Sequence, residues 1–291
     1  MTFHRDATGP ESESDPESGS GSGFGPVAIR RFKDHAISDG TDMVAQEVPV
    51  ALVFNGISHA VMLATPLDLS DFAIGFSFSE GIIHRRSDIY DIEQINHPGV
   101  GIEIHLTIAA ACFARLKERR RTLVGRTGCG LCGLESLTAF EAGLHLAESD
   151  TGPTAQFAIS QGTLLGAFKS LHQAQPINAI TGSMHAAAWI NAQGEVLMLR
   201  EDLGRHNALD KLIGALLVSA FDPASGCVIM TSRASYELAQ KTVTARIPML
   251  ATISAPTSLA IQVAQQNGLT LVGFVRQSSL VVYSHPDRVF S

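Results

Sequence analysis

Two cysteines in residues 125 to 133 form the most reactive side-chain pattern in the chain. The segment reads GRTGCGLCG, so Cys129 and Cys132 stand three residues apart among four glycines. The whole chain has four cysteines in 291 residues. A C-x-x-C pair can hold a metal, cycle between dithiol and disulfide, or carry an atom on a nucleophilic thiolate. The rest of the sequence has to discriminate between these chemistries.

A structural zinc site needs four ligands, usually two cysteine pairs or one pair with closely spaced histidines. The other cysteines, Cys112 and Cys227, are solitary, and no H-x3-5-H follows the pair. The H-x-E and P-C-x-x-C signatures of zinc deaminases are also missing, so we expect no bound metal and no stably bound zinc. A redox pair stays open, because GLESLTAFEAGLHL can form the helix that usually follows such a pair. Burial of both thiols as small hydrophobes fits a glycine-rich loop poorly.

The remaining interpretation is a nucleophilic cysteine that carries sulfur. Positive charges favour thiolate over thiol, and six basic residues precede Cys129 within fourteen positions. They are Arg115, Lys117, Arg119, Arg120, Arg121 and Arg126. Glycines give such a loop room to approach a partner, and a second cysteine can assist release or protect the first as a disulfide. The alternative for the basic run is a solvated face without a partner.

The amino-acid composition limits the class of protein and the cellular compartment that we expect. The net charge is -7, but residues 1 to 25 hold five acidic residues and one basic residue, so the remainder is nearly neutral and nothing suggests nucleic-acid binding. We expect no membrane span, because no apolar run approaches about 18 residues, and no secretory signal, because the N-terminus lacks an apolar core. Few cysteines indicate a reducing, cytoplasmic setting. Residues 1 to 25 read as a disordered Ser/Gly-rich acidic tail.

Residues 26 to 150 are interpreted as a β-rich N-terminal domain that ends in the C-x-x-C loop. Two apolar runs meet at Asn55-Gly56, which is a strong hairpin signal. Residues 68 to 83 predict a short helix capped by Asp68 or Ser70, and residues 100 to 108 alternate as a half-buried strand. These elements predict an α+β unit.

Residues 151 to 291 are predicted to form an α/β domain. Residues 160 to 173 predict a helix, AAAWINAQGEVLMLRED a hairpin, and residues 206 to 220 an amphipathic helix. Strands and helices then alternate, and the near-continuously apolar strands indicate a βαβαβ unit whose sheet is buried on both faces. Its strands are residues 227 to 232, 248 to 254 and 269 to 276, and its helices are residues 234 to 246 and 257 to 268.

Five separated motifs resemble the FdhD family, the sulfur carrier proteins required for formate dehydrogenase activity. The motifs are DFAIGFSFSEGII, GRTGCGLCGLESL, REDLGRHNALDKLIGA, TSRASYELAQK and FVRQSSLVVYSHPDR. They stand in the family's order, and the resemblance covers residues 45 to 291.

The resemblance implies a sulfurtransferase. A cysteine desulfurase would load sulfur on Cys129 as a persulfide, with Cys132 in support. The sulfur would pass to a molybdenum cofactor in its bis-guanine-dinucleotide form, and formate dehydrogenase would be the client. The resemblance also implies a homodimer and a C-terminal half like that of cytidine deaminases. The alternative is a chaperone that holds the cofactor without transferring sulfur.

The loops after the first two strands of the series can bind phosphate independently of the resemblance. Ligands of open α/β sheets bind beyond the carboxyl ends of the strands, where helix N-termini attract anions. The candidate residues are Thr231, Ser232, Arg233, Ser254 and Thr257. Ordinary N-capping is the alternative for these hydroxyl residues.

The family's cofactor-binding stretch maps onto Phe274, Val275, Arg276, Gln277, Ser278 and Ser279. Arg276 has the planar fork suited to a phosphate, whereas Phe274 and Val275 are expected to be mostly core. His206 can shuttle a proton or bond to a pterin edge, with a capping and salt-bridge cluster as the equal alternative.

Overall fold

The computed structural model describes residues 22–122 and 157–291, without the side chains of residues 119–122. Most of the predicted tail, and the segment that holds Cys129 and Cys132, lie outside these ranges. The strands are β1 (Phe24–Lys33), β2 (Ala36–Ala45), β3 (Val48–Phe54), β4 (Ile57–Ala64), β5 (Ile89–His97), β6 (Gly101–Ile108), β7 (Ile159–Ser160), β8 (His185–Ile190), β9 (Val196–Asp202), β10 (Cys227–Met230), β11 (Met249–Thr252), β12 (Thr270–Arg276), β13 (Ser279–Ser284) and β14 (Val289–Phe290). The α-helices are α1 (Leu69–Ser79), α2 (Ala110–Thr122), α3 (Gln161–Gln173), α4 (Pro176–Thr181), α5 (Arg205–Val218), α6 (Tyr236–Thr244) and α7 (Ser258–Gln266).

The strands β1 and β2 form a long hairpin, and within residues 22–122 and 157–291 no other strand pairs with it. The sequence interpretation missed this hairpin and extended the tail to residue 25, whereas β1 begins at Phe24. Near the turn, Phe32 and Ile37 face each other while 72% and 64% exposed. Arg30 and Asp39 pair beside them at 2.7 Å. The hairpin is therefore stabilised by its own cross-strand pairs more than by a core.

A four-stranded sheet of order β4-β3-β6-β5 forms the core of the N-terminal half. The Asn55-Gly56 hairpin is confirmed, since both residues have positive φ in the turn between β3 and β4. The predicted helix and strand are also confirmed as α1 and β6. One face of the sheet packs against α1 and α2 through side chains such as Phe54, Phe72 and Leu116. The opposite face carries the polar Glu103–His105 pair.

A six-stranded sheet of order β13-β12-β11-β10-β8-β9 forms the C-terminal half. The predicted βαβαβ unit is confirmed, because β10, β11 and β12 are adjacent and parallel. The predicted hairpin forms β8 and β9, which extend the sheet antiparallel to β10. The antiparallel strand β13 on the other edge was not foreseen. The α/β class is thus confirmed.

Both faces of this sheet are covered, as the apolar strands predicted. Val228 and Met230 point toward α5, α6 and α7, whereas Cys227 and Ile229 point toward α3. The alternation follows from the two-residue period of a strand. Among the helices in the described ranges, none is long and apolar enough to span a bilayer.

The helix predicted over residues 206 to 220 is confirmed as α5, which is buried between the two halves on all sides and not on one apolar face alone. Every residue from Asn207 to Leu216 is buried. Two of its charged side chains, Lys211 and Asp210, form ion pairs inside the protein. Lys211 bonds to Asp202 at 2.8 Å, and Lys241 bonds to Asp210 at 2.9 Å. A helical period cannot distinguish a solvated charge from a buried, paired one.

Candidate functional site

The loops that follow β10, β11 and β12 are joined by main-chain hydrogen bonds. The amide of Ser254 donates to the carbonyl of Ser232 at 3.4 Å. The amide of Thr257 donates to the carbonyl of Ala234 at 2.9 Å. The amide of Phe274 donates in turn to the Ser254 carbonyl at 3.3 Å. The loops after β10 and β11 and the end of β12 are therefore held together at one edge of the sheet. We call this region the loop edge.

Most hydroxyl groups expected to bind phosphate already have partners in the protein. The Thr231 hydroxyl accepts from the amide of Ala186 at 2.8 Å, and the Ser232 hydroxyl donates to the Arg233 carbonyl at 3.0 Å. Thr257 is the N-cap of α7, where its side chain accepts a helix amide. These side chains shape the loops, so an anion here would depend on main-chain amides and on cationic side chains.

Phe274 occupies an unusual conformation at the end of β12. Its φ of 50° is left-handed, which is rare for an aromatic residue, and it lies at an irregularity in the pairing with β13. The expectation that Phe274 is mostly core is wrong, because 37% of the residue is exposed. The Arg276 guanidinium lies 5.6 Å from the centre of its ring. Together they present an aromatic face and a cation at the loop edge.

The rest of the predicted stretch splits between core and surface. Val275 is buried against the α3 face of the sheet, as expected. Gln277 also has a positive φ, and it forms the exposed turn to β13 together with Ser278 and Ser279. In this stretch, the exposed side chains belong to Phe274 and to the four residues after Val275.

His206 connects the first turn of α5 with the first turn of α6. Its Nε2 lies 3.3 Å from the Ser235 hydroxyl and 3.4 Å from a carboxylate oxygen of Glu237. The hydrogen bond from His206 lowers the pKa of Glu237 to about 2. The side chain therefore lies at the loop edge, next to the loop that follows β10.

Two further basic residues, His185 and Arg205, lie close enough to His206 to interact electrostatically with it or with each other. His185 begins β8, and burial followed by the Arg205 charge lowers its pKa. The Arg205 Nε is buried with no hydrogen-bond partner among the described residues. Burial and the like charge of Arg233 lower the pKa of Arg205. The sequence signal for Arg205 is the density of charge in REDLGRHN ahead of a helix, whereas His185 lies in the separate stretch ITGSMHAAAW.

The cysteine pair, Cys129 and Cys132, lies outside the described residues, so its chemistry stays a prediction. Helix α2 ends at Thr122, seven positions before the first of the two in sequence. Cys112 and Cys227 are buried, as expected for core residues, and burial raises the pKa of both thiols. Neither is a candidate nucleophile. In residues 22–122 and 157–291, no three His, Cys, Asp or Glu side chains are placed to hold a metal.

Solved structures show the same architecture. A protein from Desulfotalea psychrophila, described as a formate dehydrogenase accessory protein, superposes with a TM-score of 0.71. The match covers 92% of this chain and 99% of that one at 21% sequence identity, so it supports the fold.

Curated relatives have a higher sequence identity to this chain than that structure has. The sulfur carrier protein FdhD of Variovorax paradoxus is 53% identical over 90% of this chain and 92% of its own length. That of Cupriavidus necator is 52% identical over 90% and 88%. The profile of the FdhD/NarQ family matches residues 45–290. With the βαβαβ unit and its loop edge in place, these matches show that the chain belongs to the FdhD/NarQ family.

Proposed function

We propose that this protein is a sulfurtransferase that carries sulfur from a cysteine desulfurase to a guanine-dinucleotide molybdenum cofactor, for use by formate dehydrogenase. The observation that carries the proposal is the glycine-flanked pair Cys129 and Cys132 in a chain about 50% identical to relatives named sulfur carrier protein FdhD. The buried thiols of Cys112 and Cys227 leave this pair as the source of reactive sulfur. We place the activity in the cytoplasm, where thiols stay reduced.

In the first step, the Cys129 thiolate attacks the outer sulfur of the donor's cysteine persulfide. A sulfur–sulfur bond forms on Cys129 while the donor's sulfur–sulfur bond breaks, and the donor cysteine leaves as a thiolate. The electrons balance without an external oxidant, because this step is thiol–disulfide exchange with a persulfide. Basic residues before the pair favour the attacking thiolate.

In the second step, the outer sulfur leaves for the molybdenum centre, which is the substrate. The Cys132 thiolate attacks the inner sulfur of the Cys129 persulfide and expels hydrosulfide. A disulfide between the two cysteines remains, and an external dithiol reduces it before the next cycle. The Cys132 thiolate thus supplies the electron pair of the new disulfide bond, and the departing hydrosulfide keeps the pair of the bond that breaks.

The loop edge is the proposed cofactor site. Its main-chain amides lie at the start of α6 and α7, where the helix dipole favours anions. The Phe274 ring offers a stacking surface for a base, since bases stack on aromatic side chains. Arg233, Arg276 and His206 supply cationic or proton-donating groups around it. The desulfurase, formate dehydrogenase and a second copy of this chain are the proposed partners.

Persulfide loading tests the proposal directly. The purified protein is incubated with a cysteine desulfurase and cysteine, and the peptide that holds the pair is analysed by mass spectrometry. We expect a reductant-sensitive gain of one sulfur atom on Cys129, and Cys129→Ser abolishes it because an alcohol forms no persulfide. Cys132→Ser is the matched control, which loads normally and releases sulfide more slowly. Normal support of formate dehydrogenase by Cys129→Ser would contradict the mechanism.

The second candidate is a chaperone that holds the cofactor without transferring sulfur. The loop edge favours it as well, because both functions require nucleotide binding. The two differ in the labile sulfur, which only the sulfurtransferase forms. Nucleotide binding without any loading of Cys129 would select the chaperone.

A further inference from the structure

The hairpin of β1 and β2 forms an arm on which every residue from 30 to 42 is exposed. Its register pairs Ile29 with Gly40 at the middle, and because side chains alternate along a strand, every second pair lies on the same face. On the face of Ile29, Val27 and Val44 are 48% and 46% exposed although they lie near the base of the hairpin. We call this the outer face, and its residues are Gly25, Val27, Ile29, Arg31, Lys33, Ala36, Ser38, Gly40, Asp42 and Val44.

The opposite face of the hairpin is open only toward the tip. Phe32 and Ile37 are exposed there. Met43 and Ala45, nearer the base, are half-buried, and β2 contacts α4. A second molecule can therefore lie along the full length of the outer face alone.

The outer face carries an apolar strip that nothing in the described part of the chain covers. Val27 and Val44 are exposed, and Ile29 between them is half-buried. A two-stranded hairpin is marginally stable in water by itself. Exposed apolar side chains on such an element indicate a contact with another protein surface.

The charges of the outer face are arranged so that the face complements itself. Arg31 lies on β1 two residues from Ile29 toward the tip, and Asp42 lies on β2 two residues from Gly40 toward the base. Among the described residues, neither Arg31 nor Asp42 takes part in an ion pair. A rotation of 180° about an axis that crosses the hairpin at Ile29 and Gly40 exchanges these two levels. When two outer faces meet in this way, Arg31 of each copy comes beside Asp42 of the other, as an isologous contact requires.

Gly40 leaves room for two copies to approach closely at this axis. A Cβ added to Gly40 would meet no atom within 4 Å. The strand β1 also contains Pro26, which has no amide hydrogen, and charged side chains such as Lys33. These features oppose the addition of another strand at the edge of the hairpin. The contact is therefore face to face.

We propose that the outer face binds a second copy of this chain, which packs antiparallel on it about a two-fold axis through Ile29 and Gly40. Val27 and Ile29 of both copies form the apolar centre, and an ion pair between Arg31 and Asp42 lies on either side. Each strand spans about 33 Å, which gives a small interface, so we expect the dimer to dissociate on dilution. This inference rests on the proposed function in that a second copy is among the partners named there, and it adds the surface and the symmetry.

Sedimentation velocity of the full chain over a concentration series tests the charge pairing. Arg31→Glu and Asp42→Arg each place like charges across the axis, so each variant alone should dimerise at least about tenfold more weakly than the wild type. A mixture of the two variants pairs opposite charges at both positions, and the dimer should reappear in it. Arg30→Gln is the control, because Arg30 lies on the opposite face and should leave dimerisation unchanged.

Gly40→Lys separates the contact from the folding of the arm. The new side chain enters open space in the single molecule, and glycine is unfavourable within a strand, so the thermal midpoint should stay level or rise. In the dimer the two introduced ammonium groups meet at the axis, and dimerisation should weaken at least about tenfold. Gly166→Lys is the matched control, since it adds the same charge in open space on α3 and should not alter dimerisation.

Three results would overturn this contact. One is a wild-type protein that stays monomeric throughout the concentration series. Another is a dimer that tolerates Gly40→Lys, because the two copies would then meet at a different surface. The third is a mixture of Arg31→Glu and Asp42→Arg that stays monomeric. Persulfide loading is measured separately, so a wild-type dimer that cannot load Cys129 would remove the proposed function and leave the contact.

Discussion

Gly75 of α1 and Gly214 of α5 lie against each other where the two halves of the molecule meet. A Cβ added to Gly75 would lie 2.8 Å from the Gly214 nitrogen and would overlap the Asp210 carbonyl oxygen. A Cβ added to Gly214 would overlap the carbonyl oxygen of Asp71. The two helices therefore pack backbone to backbone, and this contact sets the position of α5 and of the site residues at its start.

We expect Gly214→Ala to destabilise the protein by about 1–3 kcal/mol or more, because the main chain of α1 cannot move aside as a side chain could. Gly166→Ala is the control, since Gly166 lies in α3 with open space around its Cα. That change should be neutral or stabilise by about 0.5–1 kcal/mol. Urea denaturation measures both, and equal stabilities would show that the helices separate easily.

Lys211 forms buried polar contacts between the two halves of the molecule. Lys211 and Asp202 are both fully buried, and the lysine also bonds to the Thr65 carbonyl at 3.1 Å. Lys211→Met leaves the carboxylate buried without its cation, which typically costs about 3–5 kcal/mol. The exposed pair of Arg30 and Asp39 is the comparison, and Arg30→Gln should leave the denaturation midpoint unchanged. A similar midpoint for both variants would refute the assigned role of Lys211.

Glu237 predicts a loss of stability in acid. Its pKa falls from 4.5 to about 2 in the folded protein, mainly through the hydrogen bond from His206. A lowered carboxyl pKa stabilises the fold above pH 4.5, and this stabilisation disappears as the pH falls toward 2. The stability difference between wild type and Glu237→Gln should therefore be constant from pH 5 to 6 and shrink below about 4.5. A stability difference between the two proteins that does not change with pH would contradict the hydrogen bond between His206 and Glu237.

His185 reports on the charge of Arg205. Burial lowers its pKa first, and the Arg205 charge lowers it further. Arg205→Gln removes that charge, so the His185 pKa should rise. Titration of the imidazole signals by nuclear magnetic resonance measures the shift, with Arg246→Gln as the unchanged control. An unaltered His185 pKa in Arg205→Gln would mean that the guanidinium does not face this group.

Phe274 has a strained backbone and an exposed side chain. A substitution there should therefore affect protein stability and ligand affinity differently. Phe274→Asn places a residue that tolerates positive φ, and stability should stay level or rise by up to about 1 kcal/mol. Affinity for guanosine diphosphate should fall by about tenfold, because a stacked base contributes about 1–3 kcal/mol. Phe290→Asn makes the same change at an exposed position in β14 and should not alter binding. A large loss of stability in Phe274→Asn would identify a structural role instead.

The sequence predicted the C-terminal sheet well because its strands are apolar throughout and its helices are capped by hydroxyl residues. The same reasoning predicted α5 as a helix but not the burial of its charged residues Lys211 and Asp210. Their neutralising groups include Thr65, which lies 146 positions from Lys211, and no local pattern reveals such a partner. The positive φ of Phe274 was equally hidden, since it depends on the irregular pairing of β12 with β13.

The hydrogen bonds that join the three loops run between main-chain atoms, so they do not depend on which side chains the loops carry. Exposed positions such as Arg233 and Phe274 can then be exchanged without dismantling the scaffold beneath them. A change in a few protruding side chains would alter the surface chemistry of this edge while the backbone beneath it stays the same. The chain's specificity is in this sense modular, whereas its architecture is not.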